Sequence, residues 1–281
     1  RLKSESDYPS VKTLTSAARW LEENHEADNF LLWAEAFDPH EPYDVPEEYL
    51  RLYEQDYHGF DAKHPDYQPN IFTKEETQHL KNRCKALMTM TDRHIGEILD
   101  VLDKYDMWDD TMVIFTTDHG FHLGEHGYMA KNYMAPYNEV FHIPLIIAAP
   151  GVEPGRSKAL TQNIDVMPTV MEYFQVNKKL HYEIHGKSLM PVLKNEVCQI
   201  REGTIFGYFG KQVAYTDGTY VYMRAAKEES NRPLYVYTAV PSILRQYFGA
   251  DDAVKAEDYD KIEMGRFLPW INYPVYRIPA D

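Results

Sequence analysis

Residues 111–127 of the chain read TMVIFTTDHGFHLGEHG, and this stretch decides the fold. It starts as an apolar, β-branched run and ends abruptly at Asp118 and His119. Runs of this kind are typical of buried strands in a parallel sheet. Because ligands of open α/β sheets bind just beyond the carboxyl ends of such strands, we expect Asp118 and His119 to lie in a functional site.

The side chains at this strand end are suited to a divalent cation. Asp118 offers carboxylate oxygens and His119 an imidazole nitrogen, and both groups are common metal ligands. An Asp-His-Gly sequence alone would equally form a turn with a capping acid. The additional histidines His122 and His126, in the same strand-end loop, favour a metal site over that simpler interpretation.

Helical and strand patterns alternate along the first part of the chain. The spacing of apolar residues predicts a helix over residues 8–26, and an uninterrupted apolar run predicts a buried strand over residues 30–34. Thr73 and Glu76 form a capping box for a helix that continues to about residue 105. Residues 45–72, rich in Tyr, Asp, His and Pro, are predicted to form a long surface excursion.

Two successions of helix and strand predict an α/β fold with a mostly parallel sheet flanked by helices. The runs over residues 30–34 and 113–117 would be strands of this one sheet. His40 follows the first run and Asp118 follows the second. Since the carboxyl ends of parallel strands meet at one edge, we expect His40 and Asp118 to lie at the same edge.

The pattern of apolar and polar residues changes at about residue 201. Short alternating runs follow, and Thr216-Asp217-Gly218 between two of them is a strong hairpin signal. We therefore predict two domains, an α/β domain over residues 1–200 and a smaller antiparallel α+β subdomain with an irregular tail over residues 201–281.

Composition limits the partners that the chain can have. The net charge of −15 argues against nucleic acid, because phosphate backbones require a basic surface. No apolar run approaches the ~20 residues that are needed to span a membrane. Cys84 and Cys198, the two cysteines, do not make a disulfide framework. We expect neither nucleic acid nor a membrane as a partner.

Several motifs follow one another in order along the chain. They are AFDPHEPY at 36–43, FTTDHG at 115–120, LGEHG at 123–127, Lys131, IPLI at 143–146 with Pro150-Gly151, NIDVMPT at 163–169 and HGKSL at 185–189. Taken in order, these motifs resemble those of the sulfatase family within the alkaline-phosphatase superfamily. The resemblance extends over roughly residues 15–195, and the ordered set is more specific than any single motif in it. It implies an alkaline-phosphatase-like fold and hydrolysis of a sulfate ester.

The resemblance implies roles for individual residues. Asp118 and His119 match the family's ligands of a divalent metal, which is usually calcium. His40 and Lys131 match residues that contact the sulfate group, so His40 would act as the general acid and Lys131 as a fixed positive charge. The substrate would be a sulfated small molecule or glycan. By contrast, we expect His126 to order its loop through hydrogen bonds to the backbone.

The nucleophile of the family has no counterpart in this sequence. Family members carry a formylglycine formed from the first residue of Cys/Ser-x-Pro/Ala-x-Arg. Cys84 lacks the arginine, Cys198 does not fit, and the arginine after Ser16 comes one place early. The family's early pair of aspartates, which completes the metal site, is also missing. We therefore expect this chain to be the C-terminal portion of a sulfatase, with little activity by itself and with the N-terminal portion of the same protein as its partner.

Two other interpretations stay open. The chain could belong to a metal-dependent phosphodiesterase or phosphonate monoester hydrolase of the same superfamily, in which His119 would favour zinc or manganese over calcium. It could also be a non-catalytic remnant in which Asp118 and His119 hold a structural ion. A Cys-x-Pro-x-Arg segment in the parent gene would favour the sulfatase interpretation.

Overall fold

The computed structural model describes residues 2, 4–176, 178, 180, 182–227, 231–239 and 260–280. The chain divides into two compact units, Arg1–Gly155 and Arg156–Asp281. The predicted division between residues 200 and 201 rests on the pattern of apolar and polar residues and stays a prediction. Each unit is described separately below.

Helices dominate the first unit. Thr73 caps the longest one: its Oγ1 accepts a hydrogen bond from the backbone N–H of Glu76 at 3.2 Å, and the Glu76 carboxylate accepts from the backbone N–H of Thr73 at 2.8 Å. This confirms the predicted capping box. No helix in the described part of the chain is long and apolar enough to cross a membrane. The helices of this unit are α1 (Pro9–Glu23), α2 (Glu47–Leu50), α3 (Lys74–Lys104) and α4 (Asn138–Phe141).

The core of the first unit forms where α1 and α2 pack against α3. Val45, Tyr49, Leu50 and Ala62 are buried in the same cluster as the apolar face of α3. The prediction that residues 45–72 form a surface excursion is therefore wrong for this part. Their apolar side chains follow neither a helical nor a strand period, so the pattern concealed their burial.

The strands of the first unit are short and antiparallel. In the described residues, β1 (Val113–Thr116) pairs with β4 (Leu145–Ala148), with Val113 opposite Ala148, and β2 (His122–Leu123) pairs with β3 (Met129–Ala130). The strand predicted over residues 113–117 is therefore confirmed. The mostly parallel sheet is not seen among the described residues.

The strand predicted over residues 30–34 is not seen, because these residues belong to no helix or strand. Phe30 and Leu32 pack on a core cluster of α1 and α3, whereas Leu31 and Trp33 are exposed. An apolar run indicates burial but does not specify the neighbouring strand that must supply its hydrogen bonds. No described residue supplies that neighbour here.

The second unit contains two antiparallel sheets, as the sequence predicts for this region. The predicted hairpin at Thr216-Asp217-Gly218 joins two of the strands, and Gly218 has a left-handed φ of 89°. Thr216 Oγ1 accepts from the backbone N–H of Gly218 at 3.0 Å.

The helices of the second unit are α5 (Val166–Tyr173) and α6 (Met190–Leu193). The sheets have the orders β5-β6-β7 and β8-β10-β9, formed by β5 (Thr204–Gly207), β6 (Val213–Thr216), β7 (Val221–Arg224), β8 (Tyr235–Thr238), β9 (Glu263–Gly265) and β10 (Val275–Pro279).

A buried ion pair holds the second unit together. Both guanidinium Nη atoms of Arg201 donate to the fully buried Asp165 carboxylate at 2.5 Å. The backbone N–H groups of Gln162 and Lys187 donate to the same carboxylate at 2.7 and 2.8 Å. Burial acts to raise the pKa of Asp165, but Arg201 and the two N–H groups hold it below its ordinary value. The segments at 163–169 and 185–189 thus meet at Asp165.

Candidate functional site

His40 and Lys131 lie together although ninety-one residues separate them in the chain. Nζ of Lys131 is 3.1 Å from Nε2 of His40. Nδ1 of His40 is 2.7 Å from the backbone carbonyl oxygen of Glu41. Because a carbonyl oxygen can only accept, Nδ1 carries the proton, and Nε2 accepts a hydrogen bond from the Lys131 ammonium group.

Lys131 is held in a buried, positively charged position. The residue is only 6% exposed, and its ammonium group lies 5.7 Å from the centre of the Phe121 ring. No carboxylate among the described residues forms an ion pair with it. Ala130 and Asn132 on either side have left-handed φ angles of 67° and 77°. Such angles are uncommon for residues other than glycine and are concentrated at functional sites.

Glu41 lies directly beside the imidazole of His40. Its carboxylate is buried, with Oε1 accepting from the hydroxyl group of Tyr67 at 2.7 Å and Oε2 lying 3.2 Å from Nδ1 of His40. Burial and this hydrogen bond raise the pKa of Tyr67. Neither Glu41 nor Tyr67 was predicted from the sequence to belong to the site. An acid next to a candidate acid–base histidine could have identified Glu41, whereas no local pattern marks Tyr67.

Asp118 and His119 follow directly after β1, as predicted. Asp118 Oδ1 accepts from the backbone N–H of His119 at 2.8 Å, and Oδ2 lies 3.2 Å from Nε2 of the same histidine. Partial burial acts to raise the pKa of Asp118. The backbone N–H group and the imidazole of His119 act in the opposite direction and outweigh burial, so the pKa of Asp118 lies below its ordinary value. The carboxylate is therefore ionised at neutral pH, as a metal ligand must be.

Asp118 and His119 supply two of the ligands that a metal site needs. A carboxylate and an imidazole stand side by side at the surface of the unit. Among the described residues, no group of three or more His, Cys, Asp or Glu side chains could hold an ion. Zinc commonly takes about four ligands and calcium roughly six to eight. These two residues therefore fit a metal only together with further ligands.

The loop after β1 packs closely on α4. The backbone N–H of Gly120 donates to the carbonyl oxygen of Val140 at 2.8 Å, and a Cβ atom at Gly120 would come within 1.9 Å of the carbonyl oxygen of Glu139. Only glycine allows this approach. His126 also contacts α4, with Nε2 3.2 Å from Glu139 Oε1 and its ring stacked on Tyr137 at 4.0 Å. The hydrogen-bond partner of His126 is thus a side chain, and the prediction that it bonds to backbone groups is wrong.

The three histidines of the loop do not gather around one point. His122 is fully buried, and neither of its ring nitrogens has a hydrogen-bond partner among the described residues. Burial lowers the pKa of His122, which favours the neutral ring. Its ring lies 5.8 Å from that of His126, whereas His119 is next to Asp118. Of the three, His119 lies beside the carboxylate of Asp118 and His126 beside that of Glu139, each at 3.2 Å, whereas His122 has no such partner among the described residues.

The comparisons with known sequences agree on one family. The sequence model of the family described as Sulfatase matches residues 4–176, more than half of the chain. N-acetylglucosamine-6-O-sulfatase of Bacteroides thetaiotaomicron is 39% identical over 113 residues, which cover 40% of this chain and 20% of that protein. Choline-sulfatase of Rhizobium meliloti is 31% identical over 173 residues, which cover 55% of this chain and 33% of that protein. The chain thus covers a third or less of these two relatives.

The chain is also similar in fold to solved structures. The phosphonate monoester hydrolase of Agrobacterium radiobacter aligns with a TM-score of 0.61 at 18% sequence identity. The alignment covers 80% of this chain and 53% of that chain. It supports an alkaline-phosphatase-like α/β architecture.

Proposed function

The chain belongs to the sulfatase family, and on this premise we propose that it supplies the sulfate-binding part of an enzyme that hydrolyses sulfuric esters. One observation carries the proposal. The ammonium group of Lys131 is nearly buried, has no carboxylate partner among the described residues and touches the imidazole of His40. An uncompensated cation beside an acid–base group is what binding and cleavage of a sulfate ester require.

In the proposed reaction Lys131 contacts a sulfuryl oxygen. Two opposite charges about 4 Å apart gain roughly 4 kcal/mol at an effective dielectric constant near 20. Desolvation of both charges offsets part of that gain. Once the ammonium hydrogens of Lys131 turn to the sulfate, Nε2 of His40 is free to take up a proton from solvent water and to donate it to the leaving alkoxide oxygen. The Glu41 carboxylate, 3.2 Å from Nδ1, stabilises the imidazolium that forms.

We propose that Asp118 and His119 contribute two ligands to a divalent metal, which we take to be calcium. When bound, such an ion would withdraw charge from the sulfuryl oxygens as a Lewis acid. The ionised state of Asp118 supports this role. The imidazole of His119 also suits zinc or manganese, so metal analysis of the purified protein tests the choice of calcium.

The remaining parts of the site belong, in our proposal, to an N-terminal portion of the same protein. That portion would carry the formylglycine nucleophile and the other metal ligands. Residues 30–36 support this, because they belong to no helix or strand and make no backbone hydrogen bond to any described residue. Leu31, Trp33 and Phe37 expose 66, 74 and 62% of their surface. An exposed, unpaired apolar segment readily accepts another strand, which would complete the mostly parallel sheet.

The proposed substrate is a sulfated glycan or small molecule. The two relatives are named for N-acetylglucosamine 6-O-sulfate and choline sulfate, and both compounds are sulfate esters of primary alcohols. A primary alkoxide is a poor leaving group unless it is protonated, which accounts for a general acid at His40.

The test is the substrate preference of the chain joined to its N-terminal portion. N-acetylglucosamine 6-sulfate, choline sulfate and a phosphonate monoester are assayed at equal concentrations. We expect hydrolysis of at least one sulfate ester and slower hydrolysis of the phosphonate monoester. A clear preference for the phosphonate would favour the alternative hydrolase of the same superfamily. Metal binding without turnover of any of the three would identify a non-catalytic protein.

A further inference from the structure

The outer face of the sheet β5-β6-β7 in the second unit carries exposed aromatic side chains. Ile205 lies opposite Tyr215, and Tyr215 lies opposite Tyr222, so the three form one row across the strands. All three are exposed, Tyr222 to 67%. Ala214, the neighbour of Tyr215, points to the other face and is fully buried. One face of this sheet is therefore packed around Ala214, and the other displays two adjacent tyrosines.

Basic residues surround these tyrosines. Arg224 lies opposite Val213, on the same face as the aromatic row. Lys211, Arg224 and Lys227 line a cleft of about 420 Å³ together with Tyr215 and Tyr222, and none of the described residues lining it is acidic. We call this the tyrosine–arginine cleft. Neither Arg224 nor Lys227 forms an ion pair among the described residues, although two glutamates follow Lys227 in the sequence.

The charge of this cleft is opposite to that of the molecule. The chain has a net charge of −15, yet three cationic side chains border a single cleft. Clustered charge of this kind concentrates ligands of the opposite sign. An anionic occupant is therefore favoured over a neutral one.

We propose that the tyrosine–arginine cleft binds an anionic oligosaccharide. The flat rings of Tyr215 and Tyr222 would contact the apolar faces of sugar rings, and their hydroxyl groups would reach sugar hydroxyls. Arg224 would form a paired hydrogen bond with a sulfate or carboxylate group, and Lys227 would supply a second cation. The volume of the cleft is that of a small-ligand site and suits a short saccharide. The cleft uses none of the residues around His40 and Lys131.

The experiment is calorimetric titration of the chain with a heparin-derived tetrasaccharide and with its desulfated counterpart. We expect binding of the sulfated form and at least about tenfold weaker binding of the desulfated one. Tyr222→Ala and Arg224→Ala should each weaken binding about tenfold, while Tyr222→Phe, which keeps the ring, should retain most of it. Tyr273→Ala and Arg266→Ala alter exposed residues of the same types outside the cleft and serve as matched controls.

Two further arms keep the test specific. If Lys131→Ala abolishes binding of the tetrasaccharide while Tyr222→Ala and Arg224→Ala leave it intact, the tetrasaccharide is bound at the His40–Lys131 site and the proposal is overturned. A single-stranded oligonucleotide is titrated in parallel. If it binds more tightly than the tetrasaccharide and loses affinity in the same variants, the cleft is a nucleic-acid site and the proposal fails. Equal binding by wild-type protein, Tyr222→Ala and Arg224→Ala would also contradict it.

Discussion

Nζ of Lys131 lies 3.1 Å from Nε2 of His40, and that contact joins two segments of the chain that are ninety-one residues apart. Each segment matches a separate motif of the sulfatase resemblance, and nothing in their local patterns requires them to meet. Their contact agrees with the resemblance, while the roles of the two residues stay a prediction. It also explains why Lys131 can be nearly buried, because the imidazole accepts one of its hydrogen bonds and the Phe121 ring covers another side.

The buried pair of Asp165 and Arg201 should govern the stability of the second unit. Arg201→Ala leaves an ionised carboxylate buried with only two backbone donors, and we expect a loss of about 3–5 kcal/mol in the free energy of unfolding. Urea denaturation measures it. Arg51→Ala, which removes the exposed pair with Glu47, is the control and should have a much smaller effect. Equal losses in both variants would mean that the buried pair has no special role.

The ion pair of Asp165 and Arg201 also predicts how the stability of the protein depends on pH. The pKa of Asp165 is held below its ordinary value of 3.8 in the folded state. Its contribution to stability is therefore fully present above that value and is lost as the pH falls through the lower folded pKa. The difference in stability between the wild-type protein and Arg201→Ala should be constant from pH 7 to about pH 5 and should shrink below about pH 4. Thermal melts across this range test it, and a difference that grows on acidification would reverse the predicted sign.

The exposed segment at residues 30–36 should be the contact for the N-terminal portion. Leu31→Ser removes an outward-facing apolar side chain and should weaken association with that portion by about tenfold, with little change in the stability of the chain alone. Leu52→Ser is the matched control, because Leu52 is 65% exposed and Leu31 is 66% exposed. Fluorescence of Trp33 should shift to shorter wavelength when the two portions associate. No shift, or an equal effect of both substitutions, would argue against this contact.

His126 should act through the order of its loop. His126→Ala removes the hydrogen bond to Glu139 and the stacking on Tyr137, and we expect a cost of about 1 kcal/mol in unfolding free energy. Because the loop leads directly to Lys131, turnover of the joined protein should fall together with stability. His126→Asn, which keeps a hydrogen-bonding group, should recover part of both. A large loss of turnover at unchanged stability would instead give His126 a direct part in the chemistry.

Some of the fold and site could be predicted from the sequence because the signals are local. The cap at Thr73 and the hairpin at Gly218 depend on residues only a few positions apart, and both are confirmed. The pairing of His40 with Lys131 was suggested only by the ordered set of motifs, since no local pattern links residues so distant. Family resemblance therefore carried the long-range part of the prediction.

The rest could not be predicted because burial and pairing are properties of the whole fold. The apolar run at residues 30–34 reads as a strand, but pairing requires a neighbour that the described residues do not provide. Tyr49 and Ala62 are buried because α3 lies against them, and their surroundings in the sequence are polar. The contact of Tyr67 with Glu41 joins residues with no common pattern.

The most direct test of the proposed sulfate site is the effect of Lys131→Ala on kcat/KM for a sulfate ester, measured in the chain joined to its N-terminal portion. We predict a fall of at least about a hundredfold, because the ammonium group is the uncompensated cation of the site, with the melting temperature changed by no more than a few degrees. Lys85→Ala, an exposed lysine on α3, should keep the activity of the unaltered enzyme. If Lys131→Ala remains as active as Lys85→Ala, Lys131 does not bind the sulfate group and the proposed site is wrong.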